Sequence, residues 1–250
     1  QIDPPSGVIP DTVASAIANY RIKGGRQFRF TVVKIPASAL RTALGALCGA
    51  SRIIVEEDRV YLGSLHKSED LVARCLHTMS ISGYGRFPDA EAVMDEICAA
   101  DGIVLEEMQR KAVLQACANR GGLLILNGQA GCGKTFTLNI IIKVLSELYK
   151  RQGLPFSARI MAPTGQAAQV AHRATGLPAS TIHRALHIVV DQDTEAETSI
   201  SCDCVVVDEF SMVGINLAAT LLSSIAGGTK TIIMGDFRQL PSIDPGNVLR

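Results

Sequence analysis

The sequence predicts an α/β protein built around a parallel β-sheet with helices on both faces. Short apolar runs recur in the second half of the chain, at 123–126, 158–162, 204–208 and 231–234. Helical stretches precede the first run, at 89–100 and 105–118, and others begin at Thr164 and Gly214. Strands buried on both faces read as continuous apolar runs, and their alternation with helices is typical of a parallel sheet.

A second, smaller α+β unit is predicted ahead of this sheet, over residues 1–80. Residues 26–33 have the alternation of a strand, 52–62 read as a hairpin with an acidic turn, and helical faces flank the hairpin. The order helix, hairpin, helix is compatible with a winged-helix-like domain. A spacer or docking unit without any nucleic-acid role fits the same pattern. Glycine, serine and proline at 80–88 then predict a linker, so that 81–104 is linker and leading helix and 105–250 is the main domain.

Composition narrows the classes of protein. With 250 residues, of which 47% are hydrophobic and 19% charged, the chain can bury a core. The 24 basic and 24 acidic residues balance, which neither supports nor excludes a nucleic-acid partner. Seven cysteines without a C-x-x-C pair argue against zinc and favour a reducing cytoplasm. No run is long enough for a membrane span. The start at Gln1 and the stop at Arg250 indicate a piece of a longer protein.

The stretch "GQAGCGKT" matches the phosphate-binding pattern G-x-x-x-x-G-K-[ST]. It follows an apolar strand and opens a helix, which is the context that this pattern requires. Glycines let main-chain N–H groups converge on phosphate oxygens, and the helix N-terminus favours an anion. Lys134 is predicted to reach the β- and γ-phosphates, and the Thr135 hydroxyl to bind Mg²⁺. The predicted nucleotide contacts are Gly128, Gln129, Ala130, Gly131, Cys132, Gly133, Lys134, Thr135 and Phe136.

Two later strands end in polar residues that complete this chemistry. Asp208 ends the run "CVVVD", where it would hold Mg²⁺, and Glu209 beside it would polarise the attacking water. Gln239, in "GDFRQLP", is an amide that could contact the γ-phosphate. Each feature alone also fits an ordinary turn. Together with the loop, they predict catalytic roles for Lys134, Glu209 and Gln239.

The chain resembles superfamily 1 helicases of the RecD-like group, the alpha chain of exodeoxyribonuclease V and its relatives. The resemblance rests on "GQAGCGKT", "MAPTGQAAQ", "STIHRAL", "VVVDEFSM" and "GDFRQLPSIDPG", which occur in that order. It implies a RecA-like motor domain over 105–250 that hydrolyses ATP with Mg²⁺ and moves along single-stranded DNA, usually 5′ to 3′, in repair or recombination. Gln109 matches the residue that reads adenine. Pro163, Thr164, Gly165, Thr181 and His183 would lie along the DNA strand.

The resemblance also indicates what this chain lacks or changes. Cys132 stands where relatives often carry threonine. The motifs of the second motor domain, which supplies arginines to the γ-phosphate, are missing, so that domain is an expected partner. Nuclease subunits are possible partners that the sequence does not identify. In the family, the interval from His183 to Asp208 holds a hairpin that splits the duplex, so a short hairpin or loop is expected here. Its acidic tip at 191–197 should repel phosphate, which argues against close contact between the tip and DNA.

Two other functions remain open from the residues. One is the helicase part of a conjugative relaxase, which residues beyond Arg250 would distinguish. The other is a P-loop module that binds ATP only as a structural ligand. Glu209 argues against the second, because a binding module has no need of a catalytic base.

Overall fold

The computed structural model describes residues 37–56, 59–129, 131–188, 199–239, 242–246 and 248–249. The strand predicted at 26–33, the acidic tip at 191–197 and Ala130 lie outside them. The chain divides into two compact units, 1–67 and 68–250. Within the described residues, no helix combines the length and the apolar character that crossing a membrane requires.

The first unit contains the predicted helix and hairpin. Helix α1 (Ala37–Gly49) leads into the antiparallel strands β1 (Ile53–Glu56) and β2 (Arg59–Leu62), which pair from Ile53↔Leu62 to Glu56↔Arg59. Helix α2 (Gly63–Ile81) follows directly. Gly63 is needed at this junction because a Cβ there would lie 2.2 Å from the Ser51 carbonyl oxygen. The described residues thus run in the order helix, hairpin, helix, and the winged-helix assignment stays a prediction.

Among the described residues, the second unit has the predicted parallel sheet, with five strands where the apolar runs predicted four. Its order is β3 (Gly122–Asn127), β7 (Lys230–Gly235), β6 (Cys204–Val207), β4 (Ala158–Ala162) and β5 (Ala179–Thr181). The helices are α3 (Ala90–Ala100), α4 (Glu107–Cys117), α5 (Lys134–Arg151), α6 (Gly165–Thr175), α7 (Ile182–Ala185) and α8 (Ile215–Ser224), with a 3₁₀ turn at Phe210–Met212. The α/β fold class is confirmed. Strand β5 and helix α7 were not expected from the sequence.

The core follows from the apolar runs. Every residue of β6 and β7 is buried, as expected for central strands covered on both faces. Helix α5 contributes eight buried residues to the same core. Phe87, in the segment predicted as a linker, is only 3% exposed, and its ring lies 5.5 Å from that of Tyr149. The Arg120 guanidinium lies 5.8 Å from the Phe87 ring centre, so this segment packs into the core of the second unit.

Candidate nucleotide-binding site

The glycine-rich loop joins the end of β3 to the start of α5. Gly131 and Gly133 have φ angles of 81° and 84°, a left-handed conformation that strains other residues. Gly133 is also the N-cap of α5. The first amide groups of any α-helix have no acceptor within the helix, and its N-terminus carries partial positive charge. The loop therefore presents main-chain donors to an anion.

Lys134 folds back over this loop. Its Nζ donates hydrogen bonds to the carbonyl oxygens of Gly128, at 2.5 Å, and Gln129, at 3.1 Å. Cys132 is exposed, and its sulfur lies 2.5 Å from where a Cβ on Gly128 would be. A side chain at position 128 would therefore require the Cys132 sulfur to move.

The two predicted carboxylates follow β6. The Asp208 amide donates to the Met161 carbonyl at 2.8 Å, which continues the pairing with β4, and Asp208 Oδ1 accepts from the Glu209 amide at 2.9 Å. Burial raises the pKa of Asp208, and the hydrogen bond from the Glu209 amide and then the Lys134 ammonium partly offset this rise. Glu209 has φ 53° and ψ 38°, a left-handed conformation that is rare outside glycine. Burial, and then the negative charge of Asp208, raise the pKa of Glu209.

The chemistry of these donors suits Mg²⁺. Magnesium prefers hard oxygen ligands and commonly takes one or two from the protein while phosphates and water supply the rest. The partly buried Asp208 carboxylate and the Thr135 hydroxyl are ligands of that kind. Among the described residues, no group of three or more His, Cys, Asp or Glu side chains forms a metal cage.

A turn after β7 carries Gln239. The Gln239 amide donates to the Asp236 carbonyl at 3.0 Å, and Asp236 Oδ1 accepts from the Arg238 amide at 3.0 Å. Asp236 is 6% exposed, and its charge contributes to the raised pKa of Glu209. Asn127 Oδ1 accepts from the Phe237 amide at 3.3 Å. The sequence predicted a role for Gln239 but none for Asp236 or Asn127, because contacts between distant strands leave no signal in local sequence.

Gln109 lies beside the loop, and its role as the adenine contact stays a prediction. Its Oε1 accepts from the Glu106 amide at 3.2 Å, and its Nε2 lies 2.8 Å from where a Cβ on Gly133 would be. Arg110 next to it pairs with Asp95 and, at 2.8 Å, with Glu91. These pairs hold α4 on α3. The hydrogen bond from Arg110 lowers the pKa of the Asp95 carboxyl.

The predicted DNA-contacting residues lie at or just beyond the carboxyl ends of β4 and β5. Because all five strands are parallel, the ends of β4 and β5 lie at the same sheet edge as the loop. Thr164 and Gly165 are exposed, and Pro163, Thr181 and His183 are half-buried. The Thr164 and Thr181 hydroxyls each accept a main-chain amide at 3.1 Å, from Ala167 and Arg184, and so cap α6 and α7.

These features define a P-loop nucleotide-binding domain: a glycine-rich loop between a parallel strand and a helix, with an Asp–Glu pair ending a strand two places along the sheet. A family model described as AAA domain matches residues 104–250, and the chain belongs to that family.

Curated relatives narrow the comparison. The ATP-dependent RecD2 DNA helicase of Deinococcus radiodurans is 30% identical over 205 residues, covering 80% of this chain and 27% of the relative. The RecBCD enzyme subunit RecD of Mycolicibacterium smegmatis is 33% identical over 214 residues, covering 77% of this chain and 36% of the relative. The predicted resemblance to RecD-like helicases is confirmed. The chain spans about a third of the length of these relatives.

Solved structures of Pif1 helicases are also similar to this chain. One, of Pif1 helicases unwinding forked duplex DNA, is 22% identical with a TM-score of 0.41, covering 56% of this chain and 35% of that chain. The Pif1 helicase from Candida albicans is 24% identical with a TM-score of 0.38, covering 56% of this chain and 34% of that chain.

Proposed function

We propose that this chain is the N-terminal unit and first motor domain of an ATP-dependent DNA helicase of the RecD-like group. The observation that supports it most is the common edge shared by the Lys134 loop, the Asp208–Glu209 pair and the Gln239 turn. The similarity to relatives named RecD2 DNA helicase and RecBCD enzyme subunit RecD supports a helicase role for this phosphate site.

Each residue has a distinct role in this proposal. Lys134 leaves the loop carbonyls for the β- and γ-phosphates of ATP, and Thr135 and Asp208 hold Mg²⁺, which when bound neutralises phosphate charge. The Glu209 carboxylate orients the attacking water and accepts its proton. Gln239 contacts the γ-phosphate. Gln109 reads the adenine, and the predicted contacts Gln129, Ala130, Gly131, Cys132 and Phe136 line the nucleotide.

Single-stranded DNA is the proposed track, along Pro163, Thr164, Gly165, Thr181 and His183. Polar side chains and helix N-termini contact phosphate without reading bases, which suits movement along any sequence. A second motor domain would supply the arginine that neutralises the transferred phosphoryl group, worth ~10³ to 10⁵ in rate in related systems. The domain boundaries at 80 and 104, the 5′ to 3′ direction and a cytoplasmic location belong to the same proposal.

Steady-state ATP hydrolysis and unwinding of tailed duplexes by the full-length protein test this. We expect single-stranded DNA to stimulate turnover, a 5′ tail to permit unwinding, and Lys134→Ala to abolish both. Lys143→Ala is the matched control, since Lys143 lies on the same helix and pairs with Asp101 at 2.6 Å on the surface. ATP binding without hydrolysis in the unaltered protein would instead favour the structural-ligand module.

A further inference from the structure

The pairing of β3 with β7 stops one step short of the nucleotide loop. The register ends at Asn127↔Gly235, where the Gly128 amide donates to the Gly235 carbonyl at 3.2 Å. In a continuing parallel ladder the next bond would join the Phe237 amide to the Gly128 carbonyl, because bonds alternate evenly between the two strands. That carbonyl is the one that accepts from Lys134 Nζ.

A side chain takes the place of the missing step. The Phe237 amide donates to Asn127 Oδ1 at 3.3 Å. Asn127 thus holds the Phe237 amide at the ladder's end while the ammonium of Lys134 occupies the Gly128 carbonyl. A neutral carboxamide oxygen is a suitable temporary acceptor, since it brings no charge of its own to a phosphate site.

The Phe237 amide belongs to the turn that positions Gln239. Asp236 closes this turn at both ends, through its carbonyl to the Gln239 main-chain amide and through its carboxylate to the Arg238 main-chain amide. Both bonds tie the turn to the residue directly before Phe237. A shift of Phe237 therefore displaces Gln239, two residues further along.

We propose that the Phe237 amide exchanges its acceptor between Asn127 Oδ1 and the Gly128 carbonyl when nucleotide binds, so that Asn127 is a positioning residue for Gln239. The exchange rests on the proposed ATP site. Once Lys134 turns to the phosphates, the Gly128 carbonyl accepts the Phe237 amide and the ladder gains one step. Asn127 stabilises the nucleotide-free arrangement and opposes binding by the strength of its one hydrogen bond.

The affinity of the Asn127→Leu variant for nucleotide distinguishes the proposed role of Asn127 from a merely structural one. Asn127→Leu keeps the shape of the side chain and removes the acceptor, so the nucleotide-free form alone is weakened. A non-hydrolysable ATP analogue should bind this chain roughly two- to tenfold more tightly after the change, the range expected for one hydrogen bond. Asn139→Leu is the matched control: Asn139 also forms a side-chain hydrogen bond to the main chain, donating through Nδ2 to the Ala174 carbonyl at 3.1 Å, and the loss of this bond should leave the affinity unchanged.

Selective ¹⁵N-phenylalanine labelling follows the exchange directly, with Phe237→Leu to assign the resonance. The Phe237 amide resonance should move when the analogue binds the unaltered chain. In Lys134→Ala it should already lie near the bound position without nucleotide, because the Gly128 carbonyl has lost its ammonium donor. Weaker or unchanged analogue binding by Asn127→Leu, or a resonance that stays fixed while the analogue binds, overturns the exchange. Failure of the unaltered chain to bind the analogue at all overturns the proposed ATP site and the exchange with it.

Discussion

Gln109 illustrates how one side chain can serve both fold and ligand. Its side-chain oxygen accepts a hydrogen bond from the Glu106 main-chain amide at the start of α4, and its side-chain nitrogen lies against Gly133 of the loop. A carboxamide can accept and donate at once, as the adenine edge requires. We expect Gln109→Ala to weaken ATP binding by about 1–3 kcal/mol, as for a bidentate adenine contact, and to leave GTP nearly unchanged. Titration with both nucleotides measures this.

The variant Gln109→Glu separates the two roles. Glutamate keeps the acceptor that the helix start needs but cannot donate to adenine. It should lose the preference for ATP over GTP while unfolding at nearly the same denaturant concentration as the unaltered chain. Equal losses of ATP and GTP in both variants would contradict the adenine role.

Glu209 carries strain at the point of chemistry. A left-handed conformation costs an ordinary residue about 1–2 kcal/mol, whereas glycine adopts it freely but loses about 0.5–1 kcal/mol of chain entropy on folding. Glu209→Gly should therefore unfold with a free energy about 0.5–1 kcal/mol higher than Glu209→Gln, which keeps the strain and removes the charge. Both should lack turnover. Urea denaturation compares them, and a glycine variant no more stable than the glutamine variant would show that Glu209 is unstrained.

At the scale of elements, the segment between α2 and α3 is part of the second unit's core. Phe87 packs against Tyr149 of α5 and under Arg120. Phe87→Ala should lower the free energy of unfolding by about 3–5 kcal/mol, the usual cost of removing a buried aromatic ring. Val104, which is 93% exposed, provides the control, and Val104→Ala should change stability by less than about 0.5 kcal/mol. Similar denaturation curves for both variants would mean that the segment is only a tether.

At the scale of the whole molecule, we expect this chain to bind nucleotide yet hydrolyse it slowly. Lys134, Asp208, Glu209 and Gln239 share one domain, but a motor needs two domains that close around ATP and hold DNA in turn. Nucleotide at a hundredfold excess over Kd should stabilise the chain by about 2.7 kcal/mol. Its turnover should stay far below that of the full-length protein, with little stimulation by single-stranded DNA.

ATP hydrolysis by residues 1–250 beside the full-length protein measures the difference, with Glu209→Gln as the blank. A DNA-stimulated rate in the chain equal to that of the full-length protein would show that no second motor domain is needed.

The parts of this architecture that could be predicted from the sequence are those that depend on neighbouring residues. The apolar runs of β4, β6 and β7 and the glycines around Lys134 each report a conformation or a burial that neighbouring residues determine. Strand β5 was not predicted because it is only three residues long, partly polar and half-buried. Strand order and the Asn127–Phe237 bond depend on pairing between segments 110 residues apart. Such pairing leaves no periodic pattern in either segment.

The strand order also sets a sequence of events during synthesis. Among the described strands β3 pairs only with β7, whose first residue Lys230 is 108 positions beyond Gly122. At about 5–20 residues per second, the glycine-rich loop leaves the ribosome roughly 5–20 s before the strand that supports it. Pairing so distant in sequence is slow to form. We therefore expect the nascent chain on a ribosome stalled before β7 to contain the complete loop but to have no affinity for nucleotide. Synthesis and release of β7 should then give the chain its nucleotide affinity.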